Sequence, residues 1–272
     1  MARSYALGFI GAGNMAEGIV AGVLSAGLYE PGRIVAADPV AERRDLFAEK
    51  FGVATTERAD EVVGAADTII LAVKPQAFGD MAAGLAPELS ADQLVVSIMA
   101  GWSAGAIAEA LGGGSVRVVR VMPNLPIRVG AGVAGIFGGA NATPDDVAAA
   151  RELFDAAGQS VVVDVEGLMD AVTAVSGSGP AYFYYFTEAI VAGGIAAGLD
   201  EKQALALAAN TCLGAARMML ETDVDPAELR RRVTSPGGTT QAAIESMTAA
   251  GVPEAIKTGV LAAAARSEEL GK

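Results

Sequence analysis

Apolar residues follow two rhythms along this chain, and the change from one to the other divides it. Up to about residue 165, short apolar runs alternate with longer segments whose apolar positions recur at helical spacing. The runs Tyr5–Ile10, Arg33–Ala37, Thr68–Val73, Leu94–Ile98 and Val116–Val121 read as strands, with helices such as Met15–Ala26 and Val40–Lys50 between them. Apolar strands spaced regularly by helices predict a parallel sheet covered on both faces. A smaller strand–helix–strand unit follows, formed by Gly132–Phe137, Pro144–Ala157 and Ser160–Val165. From Leu168 onward the strand pattern stops. Ala-rich helices take over, interrupted at Gly177–Pro180, Gly198–Asp200, Asp223–Pro226, Val233–Thr240 and Gly251–Pro253. The predicted fold class is α/β, with a sheet domain over residues 1–165 and an all-helical domain over residues 166–272.

Composition sharpens this picture. The 272 residues are 52% hydrophobic but only 5% aromatic, so small aliphatic side chains must build the core. An Ala/Gly-rich helical half with few charged faces is hard to cover as a monomer, which predicts a dimerisation domain. A net charge of −13 argues against nucleic acid as a partner. The one basic cluster, Arg230–Arg232, reads as a helix C-terminal turn. There is no histidine, which excludes Ser-His and Cys-His catalysis and His-ligated metals. Cys212 is the only cysteine; its helical spacing among Leu, Ala and Asn predicts a buried helix position, and no metal site is expected. Met1–Arg3 and the apolar run after it imitate a secretory leader, but Gly11, Gly13 and Asn14 interrupt the run. Ser-Gly-Ser-Gly-Pro likewise breaks the uncharged stretch Ala171–Thr187. We expect no membrane span and a cytoplasmic protein.

Candidate chemistry begins at Gly11-Ala-Gly13-Asn14-Met15-Ala16, which follows a strand and opens a helix. In that context the pattern points to a dinucleotide pyrophosphate on a helix N-terminus, with Gly11 making the turn and Gly13 admitting the phosphates. Asp38 closes the second strand. It either accepts hydrogen bonds from the adenosine ribose, which favours NAD and repels a 2′-phosphate, or forms a simple Asp-Pro turn. Arg43 and Arg44 follow shortly and act in the opposite sense. Ala72-Val73-Lys74-Pro75 ends another strand on the same sheet edge; Lys74 reaches a phosphate or is solvated, and Pro75 can begin a helix. Met122-Pro123-Asn124 ends a further strand, where Asn124 either binds the nicotinamide ribose or carboxamide or caps a loop. In the helical half, Val233-Thr-Ser235-Pro-Gly-Gly238-Thr239-Thr240 gathers hydroxyls at the start of a helix running from Gln241. Such a corner is either a capped helix–turn–helix or a seat for a small anion such as a carboxylate.

Taken together, Gly11–Ala16, Ala72–Pro75, Met122–Asn124, Ser176-Gly-Ser178-Gly-Pro-Ala-Tyr182 and Val233–Thr240 with its flank to Met247 resemble the pyrroline-5-carboxylate reductases. The resemblance runs in order from about Leu7 to Arg266. It implies a Rossmann domain followed by a helical dimerisation domain, dimers that often assemble into decamers, and an active site that includes the partner subunit's helices. It also implies that NAD(P)H reduces a cyclic imine carboxylate to L-proline, chemistry that requires no covalent nucleophile and no histidine. By resemblance, Ser235, Gly238, Thr239 and Thr240 hold the substrate carboxylate and ring, and Thr240 is the catalytic hydroxyl at the ring nitrogen. Ser178, Gly179 and Pro180 line the nicotinamide face, and Met122 and Asn124 the cofactor. Tyr182–Phe186 pack their helix. Members favouring NADPH tend to carry a small polar residue at the place of Asp38 and an Asn within the segment matching Thr55–Asp60. This chain has neither, so NADH is favoured unless Arg58 substitutes for them. Two other readings are a β-hydroxyacid dehydrogenase, whose second-domain Lys is absent between Lys74 and Lys202, and a non-catalytic dinucleotide-binding regulator.

Overall fold

The computed structural model describes residues 3–271, so Met1 and Ala2 of the leader-like opening lie outside the described residues. β1 (Tyr5–Ile10), β2 (Ile34–Ala37), β3 (Ala54–Thr56), β4 (Ala66–Leu71), β5 (Leu94–Ser97) and β6 (Arg117–Pro123) run parallel. β7 (Gly132–Gly138) pairs antiparallel with β6 and parallel with β8 (Gly158–Val162). The sheet order is β3-β2-β1-β4-β5-β6-β7-β8. β1 therefore sits between β2 and β4, where the winding reverses, and open sheets of this kind bind ligands at the carboxyl ends of those strands.

Strict alternation along the strands builds a core on each face. Leu7, Phe9, Ile34, Ala36 and Ile70 pack with α1 (Asn14–Ser25) and α2 (Ala41–Phe51) on one side. Ile10, Val35, Ile69 and Leu71 pack on the other with α3 (Ala59–Ala65), α4 (Pro75–Leu85) and α5 (Ala104–Ala110). α6 (Pro144–Asp155) joins the first face through Ala150, Leu153 and Phe154, and starts with a capping box between Thr143 and Asp146. The predicted α/β sheet half is thus present, with two differences. β3 has no apolar run of its own; it forms because its backbone completes the ladder beside β2. β4 and β8 each begin two residues earlier than the apolar pattern indicates, a shift typical of element ends.

Beyond the sheet come α7 (Leu168–Val172), a π-helical turn at Thr173–Gly177, α8 (Gly179–Ala196), α9 (Glu201–Glu221), α10 (Pro226–Arg232), α11 (Thr239–Ala249) and α12 (Val252–Leu270). The chain forms two compact units. One runs up to Ser178 and takes back the residues from Ala263; the other spans Gly179–Ala262. α7 and the π turn stay with the sheet because Met169 and Ala174 are buried and Val172 packs against Gly135 of β7. The last turn of α12 joins them through Ser267, whose hydroxyl donates to Asp170 at 2.7 Å.

The helical unit has little interior of its own. Among its described residues, Ala204 and Ala208 are the only buried apolar side chains. Leu207, Leu213 and Met218 are exposed on α9, and Leu220 is 82% exposed. Tyr182–Phe186 do not pack their helix as expected: Phe183, Tyr184 and Phe186 are exposed, and Tyr185 is 75% exposed. Only Tyr182 is half-buried, with its hydroxyl oxygen enclosed and without a hydrogen-bond partner. Cys212 is likewise half-buried rather than buried, in an apolar groove with Phe183, Leu207 and Ala208. For the residues on α8 the reason is that apolar side chains surround most of the helix, and one chain covers too little of it. The basic run does end α10, with Arg231 and Arg232 both bonded to Glu228, whose carboxyl they hold down at about 2.

Candidate active site

The turn between β1 and α1 is wedged at the point where the winding reverses. The Gly11 N–H donates to the Ala37 carbonyl and the Ala72 N–H to the Ile10 carbonyl, each at 2.8 Å. Gly11 has φ +98°, and a side chain there would lie 2.6 Å from the Ala72 carbonyl oxygen, so only glycine fits. Gly13 faces the opposite situation: an added side chain would meet nothing within 4 Å. It is the N-cap of α1, and no side chain caps that helix, so the N–H groups of its first turn are directed at open space.

A cleft of about 710 Å³ opens there, lined by Gly11, Gly13, Asn14, Asp38, Ala72 and Lys74, with Arg43 and Glu57 at one end. Met15 packs against the core and is not among the residues that line the cleft. Pro75 is the first residue of α4, after Lys74 as N-cap, and its carbonyl accepts from the Trp102 indole at 3.1 Å. This cradle fits a dinucleotide: an uncapped helix N-terminus, room beside Gly13, and an acidic residue at the end of β2.

Charges at the Asp38 end are tightly arranged. The Asp38 carboxylate accepts from the backbone N–H groups of Ala12 at 2.8 Å and Val40 at 2.9 Å. Arg43 Nε donates to the Ala12 carbonyl at 2.6 Å, while its Nη2 lies 3.1 Å from Glu17. Glu17 is only 6% exposed and also binds Lys50 at 2.8 Å. The Lys50 ammonium, then Arg43, hold its carboxyl below the ordinary range against the opposing effect of burial. Arg44 donates to the carbonyls of Asp38 and Pro39. Arg58 is bonded to Asp60 and paired with Glu61. Neither Glu17 nor the engagement of Arg43 stands out in the sequence; the available signal is a charged residue inside the otherwise apolar first helix.

Met122 and Asn124, at the end of β6, meet the π turn. The Ser178 N–H reaches back five residues to the Thr173 carbonyl at 2.8 Å. The carbonyl of Ser176 has Pro180 four residues on, which offers no N–H. Asn124 Nδ2 donates to that carbonyl at 3.1 Å, and its Oδ1 accepts from the Val133 N–H at 2.9 Å. At 7% exposed, Asn124 thus fastens β7 to the turn that carries Ser178. Met122 packs beside Gly177, where an added side chain would come within 2.9 Å of its methyl group.

The hydroxyl corner lies in the helical unit. α11 starts at Thr239, two residues before the expected Gln241, because Gly238 adopts the extended N-cap conformation. Thr239 and Thr240 therefore occupy the first turn itself. No side chain caps this helix; Gln241 instead reaches back to the Gly237 N–H at 2.7 Å. Gly237 takes φ +69°, and a side chain at Gly238 would collide with Ser235 Oγ. Ser235 and Thr239 are exposed and Thr240 is half-buried. Free first-turn N–H groups among three hydroxyls suit a small carboxylate.

Sheet winding, cradle and acidic strand end together define the class, a Rossmann-type dinucleotide-binding protein with a second, helical unit. The family described as NADP oxidoreductase coenzyme F420-dependent matches residues 6–101, and that described as pyrroline-5-carboxylate reductase dimerisation matches residues 166–270. A pyrroline-5-carboxylate reductase of Methanosarcina acetivorans is 44% identical over 266 residues, covering 98% of each chain. The structure of a pyrroline-5-carboxylate reductase from Coxiella burnetii superposes with a TM-score of 0.93 at 37% identity, covering 99% of each chain. The Plasmodium falciparum pyrroline carboxylate reductase, solved with NADP bound, gives 0.87 at 27% identity over 100% of both. This chain belongs to the pyrroline-5-carboxylate reductase family. Among the described residues, no helix is long and apolar enough to cross a membrane.

Proposed function

We propose that the chain reduces 1-pyrroline-5-carboxylate to L-proline with NAD(P)H, and that the uncapped corner at α11 holds the substrate. The observation that carries this reading is the first turn of α11, open at its N-cap and flanked by the hydroxyls of Ser235, Thr239 and Thr240.

The backbone of Gly11, Gly13, Asn14 and Met15 would hold the pyrophosphate, Asp38 the adenosine ribose, and Ala72, Lys74 and Pro75 the cleft's second wall. Met122 and Asn124 support the nicotinamide end by fixing the π turn, from which Ser178 reaches the substrate. When bound, the reduced nicotinamide supplies a hydride to the imine carbon. Ser235, Gly238 and Thr239 orient the carboxylate, and Thr240 hydrogen-bonds the ring nitrogen, which already carries its proton. The protein's contribution is positioning and exclusion of water.

The Asp38 carboxylate, fixed by two backbone N–H groups at the end of β2, favours NADH over NADPH. The same reading makes the enzyme a cytoplasmic homo-oligomer built on dimers, with a decamer as the assembly the family resemblance implies. Following nucleotide oxidation optically with the cyclic imine tests the proposal. We expect turnover with a higher kcat/KM for NADH. Absence of turnover with either nucleotide would refute the activity, and a clear NADPH preference would refute the role of Asp38.

A further inference from the structure

We propose that Glu17, a buried carboxylate on α1, sets the nucleotide preference by withholding Arg43 from a 2′-phosphate. The inference rests on the proposed dinucleotide site and concerns a residue that does not itself line it.

Arg43 is the guanidinium that lines the cleft at its Asp38 end. Left to itself, an arginine just beyond the second strand is well suited to pair with a phosphate on the ribose. Here its Nε is held by the Ala12 carbonyl at 2.6 Å and its Nη2 by Glu17 at 3.1 Å. Its charge is balanced by a carboxylate that is 6% exposed and so poorly screened by water. The neighbouring cations are committed in the same way. Lys50 lies 2.8 Å from Glu17, and Arg44 binds the carbonyls of Asp38 and Pro39. The Asp38 carboxylate is held by the backbone N–H groups of Ala12 and Val40. Removing the Glu17 charge would leave the Arg43 guanidinium without its carboxylate partner at the cleft and turn the local potential toward a phosphate.

The test is direct binding of NAD⁺ and NADP⁺ by calorimetry to the full-length protein and its variants. The parent should bind NAD⁺ more tightly. Glu17→Gln, nearly the same shape, should move the affinity ratio toward NADP⁺ by roughly tenfold, the order that one charge-assisted hydrogen bond commands. Adding Arg43→Gln to that variant should restore the parent ratio. Arg43→Gln alone should leave the ratio where it is, because the clamped arginine contributes nothing to NADP⁺. A Glu17→Gln protein that binds NAD⁺ with an unmoved ratio overturns the inference and leaves the proposed function standing. So does a tenfold loss of NADP⁺ affinity in Arg43→Gln alone, a result that does not depend on how Glu17→Gln folds. A parent that binds neither nucleotide overturns both.

Discussion

Thr240 occupies the first turn of a helix with no side-chain cap. Removing that hydroxyl while keeping the helix should affect the reaction more than the fold. Thr240→Ala is expected to lower kcat at least ~10-fold, the lower end of what a positioned polar group supplies, with the far-ultraviolet spectrum unchanged. Turnover equal to the parent's would exclude Thr240 from the chemistry. The corner is readable in the sequence because Pro236, Gly237 and Gly238 impose their backbone angles wherever they stand. Asn124 is different. Its two ends are taken by Ser176 and Val133, residues 52 and 9 positions away, and no local pattern announces either bond.

At the scale of elements, α1 and α2 are joined by the Glu17–Lys50–Arg43 cluster. Glu17 has its carboxyl lowered from the ordinary 4.5 in the folded protein. A carboxyl depressed on folding stabilises above its unfolded value and loses that contribution as pH falls through its folded value. Because Lys50 is half-exposed, its pairing is partly screened, so Glu17→Gln should cost about 1–2 kcal/mol at neutral pH. Urea titrations at pH 7 and below pH 4 should show that gap closing in acid; a gap independent of pH would contradict the assignment. The helices and the apolar strands are readable from periodicity, because each buries a face of its own. β3 is not, since Ala54–Thr56 buries little and is held by backbone pairing to β2. The π turn escapes because a bond reaching back five residues, such as that from Ser178 to Thr173, leaves no mark in the pattern of apolar positions.

For the molecule as a whole, the decisive contrast is between a sheet unit with two buried cores and a helical unit with almost none. The match of residues 166–270 to a dimerisation family supports self-association, and the exposed apolar side chains of α8 and α9 are where a test of it belongs. Leu207, in the apolar groove beside Cys212, is a suitable probe. Leu207→Asp would place a charge in that contact and should shift the sedimentation profile to the monomer, because an unpaired buried charge costs several kcal/mol. An unchanged oligomer would place the interface elsewhere. Ala/Gly richness and few charges signal self-association in the sequence, but the same composition is compatible with a closed bundle. Only the exposure of side chains such as Tyr185 and Leu220 separates the two. The sparse interior of the helical unit has a consequence for heat resistance. If its apolar surface is covered mainly by another copy, folding and association share one equilibrium, and the melting temperature becomes a function of protein concentration. Dilution alone should then lower the Tm, with no change in sequence, solvent or ligand.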